Sequence, residues 1–171
     1  MALLCAVGAS AQESILELLQ VSQERMEKLE QFKEPQPCGV SLLDELIGNV
    51  ADLTAESVEI TPLLQNMYYR SIGQTEEGVT EVTVKKPTLE ELLELSARIG
   101  AQAKEVAAIV SKIANIKGEL KSIVVNPMQM AKAAKTVKYV ADVTKILGEE
   151  SADQVKIIAE MIETAKSEEN L

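Results

Sequence analysis

The chain predicts an all-α helical bundle of five or six helices, and three observations carry that prediction. The first is an apolar pair that recurs every seven residues from Leu92 to Ile123: Leu92, Ile99, Val106, Ile113 and Leu120 in one set, and Leu95, Gln102, Ile109, Ile116 and Ile123 in the other. A 4-3 alternation held over four heptads lines one narrow stripe of a helix, and that stripe leaves water only by lying against other helices. The second is composition: 46% of residues are apolar but only 2% aromatic, so the core is filled by Leu, Ile, Val, Ala and Met, as in bundles and not in β-sandwiches. The third is a set of cap and proline signals that cut the chain into helix-sized pieces. At 171 residues, with no internal repeat and no low-complexity linker, the chain makes one domain.

Residues 1–11 look like the remnant of a secretory signal peptide, with the helical domain occupying 12–171. In MALLCAVGASAQ an apolar run is followed by Ala9-Ser10-Ala11, small residues at the positions a signal peptidase accepts, although no Lys or Arg precedes Arg25. The alternative is that these residues form the apolar first turns of a helix running into Ile15 and Leu18. A first helix is expected from Glu13 to Phe32, with Ile15, Leu18, Leu19, Ser22, Met26 and Leu29 on one face, ended by Glu-Pro-Gln-Pro at 34–37. A second opens at Ser41 as N-cap, with Asp44 three residues on, and buries Leu43, Leu46, Ile47, Val50 and Leu53. Thr61-Pro62 reads as a cap followed by a first-turn proline, which starts a third helix that Gly73 stops.

Residues 73–87 interrupt the helical pattern. Gly73, Gly78 and Pro87 punctuate the stretch, and Thr80, Val82 and Val84 alternate as in a strand, so an exposed loop or a short β-ribbon is expected there. The long fourth helix, about 89–124, follows Thr88, with Glu91 completing a capping box. Asn126-Pro127 then turns the chain into a helical hairpin, Asn126 as N-cap and Pro127 in the first turn. The fifth helix runs to Leu147 with Met130, Ala133, Ala134, Val137, Val140 and Ala141 inward, and Gly148 ends it. A sixth, capped by Ser151 with Gln154 at its third position, buries Val155, Ile158, Ile162 and Ala165.

The absence of histidine excludes Ser-His-Asp and Cys-His catalysis and every His-bearing zinc or di-iron site, and two cysteines cannot make a Cys₄ centre. No cofactor, metal or catalytic group is assigned. The net charge of −10 is uneven: the balance is −8 over residues 1–60, −2 over 61–100, +5 over 101–148 and −5 over 149–171. A basic middle between acidic ends means helices of opposite sign packed side by side, and the overall acidity argues against a nucleic-acid partner. After Ala11 no stretch approaches the roughly 18 apolar residues of a membrane span.

Four features stand as candidate interaction sites. Gln102 breaks the seam in a d-like position, where a buried polar group would specify register, but it is expected where the seam surfaces. Lys132, Lys135 and Lys138 form a positive edge, read as a solvated face pairing with Glu160 or Glu163, with docking of an acidic partner or lipid headgroup as the sharper alternative. Tyr68-Tyr69-Arg70 is the one aromatic cluster, a plug for the bundle end or a recognition spot. Cys38 would be the lone thiol of the mature chain, either buried or in an intermolecular disulfide. Carboxylate pairs such as Glu149-Glu150 are read as surface charge. The sequence thus points to an exported, secreted or periplasmic, non-catalytic helical protein that binds a protein partner or itself. The alternative is an amphipathic-helix module for lipid or apolar ligands, with peripheral membrane contact.

Overall fold

The computed structural model describes residues 4–75, 84–124 and 126–169. Among them the chain forms α1 (Leu4–Gln31), α2 (Ser41–Ser71), α3 (Leu89–Ile123) and α4 (Pro127–Glu169). The bundle is all-helical, as expected, but it has four helices where five or six were expected, because two of the anticipated breaks are passed through. Of the β-ribbon expected within 73–87, residues 76–83 lie outside the described residues; Gln74 makes an isolated β-bridge and residues 84–88 are irregular.

Pro62 lies inside α2. Its ring removes the donor that would serve the Val58 carbonyl. Pro62 and Val58 both face solvent, so water can take the vacated acceptor, while Ile60, Thr61 and Leu64 are buried on either side and hold the helix on course. The second missed break is Gly148. The heptad Ala133, Thr136, Val140, Val143, Leu147, Glu150, Gln154, Ile157, Met161 runs through it unbroken, and every member is buried. Tertiary burial of that stripe outweighs the roughly 1 kcal/mol that a mid-helix glycine costs. A Cβ at 148 would meet Val106 Cγ1 on α3 at 3.7 Å, an ordinary contact, so the crossing itself does not require glycine. With α4 continuous, Ser151 is a buried interior residue and not a cap, and Val155 and Ala134 lie on the exposed side. At the other end of the chain, α1 begins at Leu4, well ahead of Glu13, and runs from the segment read as a signal remnant directly into the bundle.

The remaining boundaries follow local chemistry. Thr88 Oγ1 accepts from the Glu91 amide (3.2 Å) while the Thr88 amide donates to Glu91 Oε2 (2.7 Å), so the capping box forms as expected. Asn126 Oδ1 accepts from the Gln129 amide at 2.8 Å and starts α4. The α2 N-cap is Val40, one residue earlier than expected, and its side chain caps nothing. Instead the Asp44 carboxylate reaches back to the amides of Cys38 (2.7 Å) and Gly39 (3.0 Å). α2 ends at a glycine in the left-handed region, Gly73 with φ +73°. Its amide donates to the Arg70 carbonyl and that of Gln74 to the Tyr69 carbonyl, the paired bonds of a Schellman stop.

The helices run up, down, up, down. Two apolar clusters sit one above the other. The first gathers Leu29 from α1, Leu43 to Leu53 from α2, Val106 to Ile116 from α3 and Ala133 to Leu147 from α4. The second gathers Ile15 and Leu19, Ile60 to Tyr68, Leu92 to Ile99, and Ile157 to Ile162. The seam of α3 is buried from Leu92 to Ile116, most extensively against α4, so it is spent inside the chain. Among the described residues α1 touches α2 and α4 but not α3, which places α1 and α3 across a diagonal.

If Pro62 is tolerated only because it faces solvent, Pro62→Ala restores a backbone bond without disturbing the core. Urea unfolding should show a gain of about 2–2.5 kcal/mol, the helix-interior penalty of proline less the entropy it removes from the unfolded chain.

Candidate functional site

The apolar clusters are separated by a polar layer to which all four helices contribute. Ser22 and Arg25 come from α1, Ser57 and Thr61 from α2, Gln102 from α3, and Glu150, Ser151, Asp153 and Gln154 from α4. Glu150 is fully buried. Its Oε1 accepts from the hydroxyls of Ser22 and Thr61 (3.2 Å) and from Gln154 Nε2 (2.9 Å), and Oε2 accepts from Arg25 at 3.3 Å. Arg25 also bonds Asp153 at 2.9 Å, and Gln154 Nε2 donates to Thr61 at 3.1 Å. One carboxylate thereby ties α1 and α2 to α4. With three donors on Oε1, one on Oε2 and the side chain closed off from solvent, it acts as a clamp between helices.

Burial alone would push the Asp153 carboxyl up. The hydrogen bonds and positive charges of Lys156 and Arg25 outweigh that and hold it below its ordinary value of 3.8. For Arg25, burial works against the charged form, and Asp153 and Glu150 more than compensate.

Glu150 is the main residue the sequence reading missed, since Glu149-Glu150 was taken as surface charge; Glu149 is exposed, but Glu150 is not. The signal was present: Glu150 and Gln154 occupy consecutive core positions of the α4 heptad. Gln102 also departs from expectation. It does not surface but is 2% exposed, with Nε2 donating to Ser57 Oγ (2.9 Å) and to the Leu53 carbonyl (3.2 Å) across the α2–α3 interface.

An open groove of about 550 Å³ lies between the end of α1, α2 and the first half of α4. Leu29, Phe32, Ala51, Ala55, Val58, Tyr139 and Val143 floor it, and Glu30, Glu34 and Glu59 stand on its rim. Phe32 and Tyr139 meet edge to face across it, ring centroids 6.3 Å apart. Burial and the nearby Glu34 charge raise the Tyr139 hydroxyl above its ordinary value.

Lys132, Lys135 and Lys138 are exposed, and no ion pair forms on them among the described residues. The expected pairing with Glu160 or Glu163 is ruled out by the continuity of α4, which sets Glu160 about 33 Å along the axis from Lys138. Lys132 and Lys135 do come together with the groove, because they precede Tyr139 by seven and four residues and share its helix face. Tyr68, Tyr69 and Arg70 belong to the opposite end of the bundle. Tyr68 is buried there, its hydroxyl pushed up to about 12 by burial, then by Glu160 and Tyr69. Arg70 is half-buried, bonding the Lys85 carbonyl at 2.9 Å and pairing with Glu91 at 3.5 Å, so it closes the loop onto α3. Cys38 is an unpaired thiol buried in the first apolar cluster. Burial pushes its pKa up, an effect the Asp44 carboxylate reinforces against a hydrogen bond to Val40.

No group of three or more metal-ligating side chains occurs among the described residues. No described helix is long and apolar enough to cross a membrane. No family model, curated protein or solved structure matches the chain.

Removing the cation from the layer leaves Glu150 buried and uncompensated. Arg25→Met is expected to lower unfolding stability by about 3–5 kcal/mol, measured in urea. Asp153, whose folded-state value is depressed, contributes stability that is complete above about pH 4 and is lost as the pH falls through that lowered value. Asp153→Asn should therefore be less stable than the wild type at neutral pH yet lose less on acidification from about pH 5 to about pH 2, read from urea midpoints across that range.

Proposed function

We propose that the protein is a non-catalytic helical interaction subunit, acting in an exported or periplasmic setting, that docks a basic amphipathic segment in the groove between α1, α2 and α4. The observation that carries this reading is the groove itself: an apolar floor of Phe32, Val58 and Tyr139 under a rim of Glu30, Glu34 and Glu59. An apolar helix stripe flanked by lysines matches it in both respects, and the glutamates favour cations over the acidic partners that the lysine edge alone would suggest. Glu30 and Glu34 have no ion-pair partner among the described residues, so their charge is available to a ligand.

The lipid-carrier alternative fits less well. Helices that part to take up lipid would have to open the Arg25–Glu150–Asp153 layer in an apolar setting, where separated charges are most costly. A protein-docking surface uses the outer face and leaves that layer closed. With no histidine in the chain and Glu150 shut away from solvent among its own donors, the reading assigns no catalytic step.

A short leucine–lysine amphipathic peptide provides the test. Titrated into the full chain, it should shift the ring proton resonances of Phe32 and Tyr139, and Ala51→Arg, which puts a cation on the groove floor, should weaken binding at least about tenfold. Absence of any shift, or equal binding to the Ala51→Arg variant, would overturn the reading.

A further inference from the structure

The groove and the lysine edge are parts of one surface. Met128, Lys132, Lys135 and Tyr139 follow one another at spacings of four, three and four, so they form a single stripe along α4. The stripe is basic and exposed at its start, where Met128 is 73% exposed, and it enters the groove at Tyr139. The basic amphipathic segment that suits the groove is therefore present in the chain, about one to three turns from Tyr139 along the same helix face.

Resting on the docking reading above, we propose that the occupant is a second copy of this chain, and that the protein assembles as a two-fold dimer through antiparallel α4 helices. A surface that is basic at one end and acid-rimmed at the other is self-complementary under a two-fold axis, since each end then meets its opposite twice. Centred between Lys135 and Tyr139, the axis lays Met128 of one protomer on the apolar floor of its partner's groove and Lys132 and Lys135 against Glu30 and Glu34. The reciprocal contacts repeat it. None of these four charged groups has an ion pair within its own chain among the described residues, so dimerisation breaks no existing pair. The net charge of −10 opposes association at long range. Salt near 0.1 M, with a Debye length of about 10 Å, screens that repulsion more than it screens charges in contact.

Sedimentation equilibrium on the full chain tests this directly. In about 0.1 M salt the mass should climb from one chain towards two with concentration, and about 1 M salt should shift it back. Lys132→Glu/Lys135→Glu and Glu30→Lys/Glu34→Lys should each remain monomeric with unchanged helical circular dichroism. An equimolar mixture of the two should recover the two-chain mass, because each supplies the charge the other has reversed. That recovery excludes misfolding as the cause of the separate failures. A wild-type chain that stays monomeric at every concentration, or a dimer indifferent to both variants, overturns the proposal. Binding of the leucine–lysine peptide by a strictly monomeric chain would sink the dimer alone, whereas loss of peptide binding as well would sink the docking reading on which it rests.

Discussion

A carboxylate with no access to water, Glu150, sits where α1, α2 and α4 of this bundle meet, and the arrangement of the helices depends on satisfying it. Its donors come from residues far apart in the chain: Ser22 and Arg25 on α1, Thr61 on α2 and Gln154 one turn along α4. A buried ion pair adds little net stability compared with a well-packed apolar substitute, but a mispaired one is expensive. Sliding α4 by one heptad would carry Glu150 to the level of Val143 or Ile157, among side chains that offer it no donor. Two apolar clusters made almost wholly of interchangeable Leu, Ile and Val would tolerate such a slip. The polar layer between them does not, and it thereby fixes one register for helices whose apolar seams alone are repetitive.

The same layer closes the interior with polar contacts that reach every helix. Gln102, bonded to Ser57 and to the Leu53 carbonyl, extends the polar contacts to α3 and joins the helix that α1 does not touch. Arg98 adds bonds to Glu56 and Glu59 on the surface, half-exposed and worth correspondingly little. With the interior so closed, the proposed docking uses the exterior faces. There the end of α1 leaves α2 and α4 incompletely covered, because the chain departs from the helix at Gln31 into the Pro35–Pro37 segment. Phe32 and Tyr139 cap that gap with aromatic surface in a chain that has few aromatic residues. The scarcity makes their placement at the groove the more informative.

Much of the architecture was legible in local pattern. The α3 seam, the Thr88–Glu91 capping box, the Asn126-Pro127 turn and the stop at Gly73 depend on neighbours within one or two turns, and each stands where the sequence placed it. The errors share one cause. Pro62 and Gly148 are helix-breaking signals whose local cost was overcome by burial of Ile60, Leu64, Leu147 and Ile157 against other helices. Glu150 and Gln102 were placed at the surface because a polar residue in isolation belongs there, and their burial is explained only by partners some 45 to 128 residues away. Local propensity could not weigh those contacts.

The sequence by itself determined the fold class, the turn signals and the chemistry that cannot occur, since these follow from helical periodicity, capping geometry and the absence of histidine. The tertiary structure alone decided that the described residues form four helices and not five or six, that Glu150 is buried among donors from three helices, and that Tyr139 at the end of the lysine stripe enters the acid-rimmed groove. The physical reason is that each of these depends on which side of a helix its neighbours occupy. A heptad tells a helix which stripe to bury, but only the assembled bundle determines what that stripe is buried against.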